Sequence, residues 1–161
     1  MNIRKVLADD AGQITEIYNY YILNTTVSFE TEPISTDNMQ SRITKISSDF
    51  PYFVAESDGK IAGYCYAHTW KERAAYSHTW ETTIYLAPES KGRGTGSQLM
   101  EKLIGECRRQ GCHVLIACIT AENVESCRFH ERLSFKKVSH FEQVGQKFGR
   151  WLDVADYELI L

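Results

Sequence analysis

One short stretch limits the architectures open to this chain more than any other: Lys91-Gly92-Arg93-Gly94-Thr95-Gly96-Ser97. Before it stands a Thr-, Ile- and Tyr-rich run, Glu81 to Leu86, with the make-up of a strand. Pro88 closes that run. After it, Leu99, Met100, Leu103, Ile104 and Cys107 recur on one helical face within Ser97 to Gln110. Gly111 stands where a helix ends in a left-handed residue. Val114 to Ile119 is then nearly continuous apolar sequence, as in a strand covered on both faces. Strand, glycine turn, helix and strand in that order require helices laid against a sheet.

The same turn has chemical meaning. Glycines let backbone approach a ligand closely, and a helix start offers unpaired N–H groups and a positive dipole end. With Lys91 and Arg93 beside them, these make a pyrophosphate cradle; a solvated glycine turn explains them equally well. A Walker loop needs a lysine after its last glycine, and Ser97 follows Gly96. A dinucleotide fingerprint needs G-x-G-x-x-G with an acidic residue about 20 positions on. Here the pattern is G-x-G-x-G, and that position falls in the apolar run.

Upstream, Asp10 to about Leu23 reads as a helix, with Asp10 and Gln13 spaced as a capping box and Ile14, Ile17, Tyr18, Tyr21 and Ile22 periodic. Thr36 to Ser47 reads as a second helix facing inward through Met39, Ile43 and Ile46. Thr25 to Pro33 between them is a loop. Tyr52 to Glu56 and Ile61 to Thr69 form a hairpin about Asp58-Gly59. Downstream, Glu125 to Leu133 is a short helix. Phe135 to Gln143 and Trp151 to Leu161 are strands joined by a loop holding Gly145 and Gly149. With a further strand at Ile3 to Leu7, the order is that of an α/β or α+β domain with a mixed sheet.

Composition agrees. The 161 residues amount to about one domain, 1–161. Net charge is −3, so no general nucleic-acid footprint exists. No apolar run reaches membrane-spanning length, and Met1 to Gln13 lacks a signal h-region. Five cysteines, an odd number, read as free thiols in a reducing cytoplasm. Cys107, Cys112, His113 and Cys118 contain no C-x-x-C pair, so no metal site is expected, and Cys118 falls in the buried strand.

Lys91 to Gly96 resembles the acyl-CoA loop of the GNAT superfamily of N-acetyltransferases, Q/R-x-x-G-x-G/A, with Lys91 at the position usually Gln or Arg. Thr26 to Pro33, Lys71 to Tyr76, Thr82 to Leu86, Arg128 to Glu131 and Phe148 to Val154 resemble phosphinothricin N-acetyltransferases and their relatives. The resemblance implies a mixed, mostly antiparallel sheet splayed at an acetyl-CoA site. It also implies acetyl-CoA as donor, a small amino-acid-like acceptor such as phosphinothricin or methionine sulfoximine, and a homodimer. Ser134-Phe135 departs from the family, which often has Gly before the aromatic residue.

Roles follow from the same resemblance. Glu81 is the general base that takes the amine proton, with Trp80 and Tyr85 as apolar neighbours. A backbone N–H at Tyr85 or Leu86 meets the oxyanion, and Ile84, Tyr85 and Leu86 pair with the pantetheine arm as an added strand would. Lys91, Gly92, Arg93, Gly94, Thr95, Gly96 and Ser97 hold the pyrophosphate. Asn123, Ser126 and His130 share N-x-x-S-x-x-x-H spacing. Asn123 and Ser126 contact the CoA arm, although Asn123 also suits a helix N-cap. His130 donates a proton to sulfur or relays protons. Lys71, Arg73 and Tyr76 hold the acceptor's anionic group, and Phe29 and Glu30 wall its pocket. Two rivals remain: acetylation of a protein lysine or N-terminus, and acyl-CoA binding without turnover.

Overall fold

The structure, a computed structural model, describes residues 1–161. Seven strands form one sheet: β1 (Asn2–Lys5), β2 (Tyr52–Ser57), β3 (Lys60–Thr69), β4 (Thr79–Leu86), β5 (Val114–Thr120), β6 (Lys136–Lys147) and β7 (Arg150–Ile160). Four helices accompany them: α1 (Ala11–Asn24), α2 (Thr36–Ser47), α3 (Thr95–Arg109) and α4 (Val124–Arg132). The spatial order is β1-β2-β3-β4-β5-β7-β6. Only β4 and β5 run parallel. The sheet is therefore mixed and mostly antiparallel, as expected.

Alternation along the strands feeds two cores. Phe53 and Cys65 face α3, where Leu99, Met100, Leu103 and Cys107 are fully buried. Val54 and Tyr64 face α1 and α2, joining Ile14, Tyr21, Met39 and Ile43. The α2 boundaries match the sequence pattern because Ser35 caps the helix, accepting the Asn38 N–H at 3.1 Å. The β2–β3 turn takes positive φ at both Asp58 and Gly59, the two-residue geometry that suits strand twist.

Three local expectations need correction. Asp10 does not cap α1; its carboxylate accepts from the Leu7 N–H at 2.7 Å and from both Arg4 terminal nitrogens at 2.8 Å. Gln13 reaches instead across to the Ile61 N–H. The Gly145–Gly149 region is not a loop but the end of a long β6–β7 hairpin, turning at Phe148 and Gly149 after a bulge between Phe141 and Gly145. Cys118 is exposed although its strand neighbours are buried, because β4 diverges from β5 there. Ser134, where the family often has glycine, adopts φ of 70°, the left-handed conformation glycine accepts most easily.

Candidate active site

The parallel β4–β5 ladder has three residue pairs: Thr79 with Val114, Trp80 with Leu115, and Glu81 with Ile116. Beyond Glu81 the strands separate. The Thr82 hydroxyl reaches the Ile116 carbonyl at 3.4 Å near the apex of the gap. From Thr82 to Leu86, β4 keeps β3 on one edge and has no strand on the other. Backbone groups on that edge are open to an extended ligand, apart from the Leu86 carbonyl, which accepts from the Tyr21 hydroxyl at 2.6 Å.

The opening is a wedge bounded by Thr82 to Tyr85, Ala117 to Thr120, Asn123, Ser126 and His130. On its α3–α4 side lies a cleft of about 440 Å³ holding Ile84, Tyr85, Leu86, Lys91, Gly92, Gly96, Asn123 and Ser126. Gly94 caps α3 in the left-handed conformation (φ 80°) and Gly92 has φ of 72°. Gly96 is in the first turn, where an added Cβ would stand 3.3 Å from the Phe129 ring. Thr95 is buried, and its hydroxyl has no partner. The first α3 amides have no preceding helical carbonyls to bond.

Across the wedge lies a second cavity, about 470 Å³, lined by Tyr18, Val27, Ser28, Phe29, Glu30, Glu81, Tyr85 and Cys118, among others. Glu81 and Tyr85 share a strand face. Trp80 does not: it points to the opposite face, packs edge-on to Phe50 and joins the α3 core. Of the two expected neighbours, only Tyr85 therefore lines the same cavity as Glu81. Glu81 instead meets His68, its register partner on β3, with Nε2 3.1 Å from Oε2.

The Thr25–Pro33 loop is strapped over this side. Lys147 Nζ donates to the Ser28 carbonyl at 2.6 Å, Thr26 and Arg150 both bind Glu122, and the Thr120 hydroxyl donates to the Thr26 carbonyl. Glu30 is held bidentately by Arg42 at 2.7 and 2.8 Å and accepts from the Tyr18 hydroxyl. Arg42 is the main cause of a Glu30 pKa below the carboxylate norm. Glu30 thus walls the cavity with its charge already neutralised. Phe29 covers Gly145, whose added Cβ would collide with the ring.

Asn123 caps α4 by accepting the Ser126 N–H at 3.3 Å, so the cap reading holds while the residue also lines the wedge. His130 is 3% exposed, and its Nδ1 lies 2.8 Å from the Ser126 carbonyl. A carbonyl only accepts, so Nδ1 carries the hydrogen and the neutral ring has its lone pair on Nε2. Burial lowers the His130 pKa from 6.5, against the opposing Ser126 bond. The neutral ring suits a relay better than a standing acid. The unfolded chain also protonates first as pH falls, so stability present above about pH 6.5 declines toward the folded-state pKa. The wild-type melting temperature is expected to drop more than that of His130→Gln between about pH 7.5 and about pH 5.5. Equal drops would remove this account.

A family model described as "Acetyltransferase (GNAT) domain" matches residues 3–155. This chain belongs to the GNAT acetyltransferases. Over 162 residues, the whole of this GNAT chain and 95% of the relative, it is 36% identical to an L-methionine sulfoximine/L-methionine sulfone acetyltransferase of Salmonella typhimurium. A phosphinothricin acetyltransferase from Sinorhizobium meliloti, solved in complex with acetyl-CoA, superposes with a TM-score of 0.96 at 36% identity, covering 99% of this chain and 88% of that one. A ribosomal-protein-alanine N-acetyltransferase from Brucella melitensis gives 0.97 at 33% identity, covering both chains completely.

Acetyl-CoA is the co-substrate of this GNAT chain, and the residues present fit it. Unpaired strand edge, glycine-lined cleft and basic side chains meet in one channel. Two of those basic residues, Arg128 and Arg132, were not singled out from the sequence, although their i, i+4 spacing on α4 puts them on one face. Arg93, Gly94, Thr95 and Ser97 are not among the cleft-lining residues. Lys71, Arg73 and Tyr76 line neither the wedge nor the cavity at Glu81. Lys71 sits instead over the rings of Trp70 (4.3 Å) and Tyr76 (5.4 Å) in the β3–β4 loop. His68 was also missed; its signal is cross-strand register, which appears only once the β3–β4 pairing is known.

Proposed function

We propose that this GNAT chain moves the acetyl group of acetyl-CoA directly to the amino group of a small amino-acid analogue of the phosphinothricin or methionine sulfoximine type. The observation that carries this is the cavity beside Glu81. At about 470 Å³ it has the size of a small-molecule site, and the strapped loop of Phe29 and Glu30 walls it.

Acetyl-CoA supplies an activated thioester. The unpaired β4 edge at Ile84–Leu86 takes the pantetheine arm, and of the two expected N–H groups that of Leu86, which faces away from β3, meets negative charge on the carbonyl oxygen, since the Tyr85 backbone faces Tyr64 of β3. Lys91, Gly92, Arg93, Gly94, Thr95, Gly96 and Ser97, with Arg128 and Arg132, hold the phosphates. Glu81 removes the amine proton. As the nitrogen bonds to the acetyl carbon and the carbon–sulfur bond breaks, the nitrogen's second proton passes to the open Nε2 of neutral His130 and from there to the departing sulfur, so that the thiol leaves uncharged. Asn123 and Ser126 shape that wall. Lys71, Arg73 and Tyr76, outside the cavity in the β3–β4 loop, keep only the family likeness as support for binding the acceptor's anionic group.

The test mixes pure protein with acetyl-CoA and a panel of phosphinothricin, methionine sulfoximine, methionine sulfone and common amino acids, following free thiol. Release that depends on one of the analogues is expected. The likeness to a ribosomal-protein-alanine N-acetyltransferase favours a second reading, a protein N-terminus as acceptor. A peptide beginning with alanine belongs in the panel, and turnover of that peptide alone would replace the first reading.

The functional unit is proposed as a cytoplasmic homodimer. Val138, Phe141, Val144, Phe148 and Trp151 are all exposed on the β6–β7 hairpin at the sheet edge, Trp151 by 62%. Clustered apolar exposure of this kind marks interaction surfaces. Trp151→Glu is expected to convert a dimeric sedimentation profile to a monomeric one; a monomeric wild type would reject the proposal.

A further inference from the structure

Resting on the reading of Glu81 as general base, we propose that His68 is the positioning residue of that base. In the acting enzyme its Nε2–H holds Glu81 Oε2 and leaves Oε1 to take the amine proton.

The placement follows from the sheet. His68 and Glu81 are register partners on β3 and β4, so their side chains emerge on one face, and Nε2 stands 3.1 Å from Oε2. Both are partly exposed, 32% and 26% by side chain, so the pair is not sealed from water; Glu81 lines the cavity and His68 stands behind it. The imidazole is itself fixed: the Tyr66 ring, two residues earlier on the same face, lies 5.7 Å away, centroid to centroid. His68 is the one basic side chain at ion-pair distance from Glu81.

The other groups around Glu81 cannot take its place. Tyr66 of β3, Tyr18 of α1 and Tyr85 of β4 present phenols whose pKa values burial raises, so they are neutral. Cys118 of β5, beside Asp156 of β7, presents a thiol, which carries no positive charge to pair with the carboxylate. The nearby cation Arg42 is committed to Glu30. An imidazole that binds one carboxylate oxygen fixes the rotation of the base and leaves the other oxygen to the amine. Catalytic contacts of this kind tighten when substrate is bound.

The experiment compares full-length wild type, His68→Ala, His68→Gln and Glu81→Gln, using acetyl-CoA with methionine sulfoximine or phosphinothricin across a pH series. His68→Ala is expected to lower kcat about tenfold with the KM for acetyl-CoA unchanged. His68→Gln, which keeps an N–H donor of similar reach, should recover most of the kcat. If Glu81→Gln abolishes turnover while His68→Ala leaves kcat in place, the role of His68 is overturned and that of Glu81 stands. If Glu81→Gln retains full turnover, the base assignment fails and this inference fails with it. Equal losses in His68→Ala and His68→Gln would also overturn it, since a purely structural ring is not replaced by an amide donor.

Discussion

Glu81→Gln is expected to lower kcat by about a hundred- to ten-thousand-fold, the range in which a positioned base contributes to proton transfer. The amide keeps the shape of the side chain and cannot accept the amine proton as a carboxylate does. Glu81 stands at the last paired position of β4 and β5, facing the acceptor cavity, whereas the cleft of Lys91 and the glycines opens on the other side of the wedge. The KM for acetyl-CoA should therefore hardly change. Thiol release measured at saturating acetyl-CoA tests this directly. Turnover within a few-fold of wild type, with the same pH profile, would reject Glu81 as the base.

Gly63→Ala should have the largest effect of any single methyl group added to the sheet. Gly63 pairs with Leu86 across β3 and β4. An added Cβ would stand 2.9 Å from the Tyr85 carbonyl oxygen and 3.3 Å from the Leu86 Cα, and would also collide with the Leu86 side chain. The side chain can rotate away, but the backbone oxygen moves only if β4 moves. Overpacking of this kind costs about 1–3 kcal/mol, or roughly 2–12 °C in melting temperature for a chain of this size. The displaced segment is the strand edge assigned to the pantetheine arm, so the KM for acetyl-CoA should rise as well. Scanning calorimetry and acetyl-CoA titration read the two effects separately. An unchanged melting temperature with unchanged affinity would contradict the close approach of β3 to β4.

These two sites differ in how far they could be read in advance. Glu81 was legible through family likeness, since a strand-end glutamate alone is unremarkable. Gly63 gave no signal, because nothing in its neighbourhood shows which backbone atoms will face it. The α2 helix was legible at both ends because its cap and apolar face are local. The Asp58-Gly59 turn was legible for the same reason: positive φ is a preference of the residues that adopt it. The β6–β7 hairpin was misread because Gly145 looks like a loop residue and is in fact a strand residue, paired with Leu152 just past a bulge, that makes room for Phe29. That contact joins residues more than a hundred positions apart.

The sequence by itself determined the kind of protein this is: a chain that must lay helices on a sheet, with a glycine turn opening one helix at a strand end. Those properties rest on short-range periodicity, turn preference and composition, which act between neighbours and survive without knowledge of the fold. Only the tertiary structure decided that β4 and β5 part after Glu81. It also decided that His68 meets Glu81, that Arg42 rather than a ligand holds Glu30, and that Cys118 emerges from an apolar strand. Each of these depends on strand order and register. A register shift of one residue reverses every side chain on a strand, so such pairings are selected by the packing of both faces together.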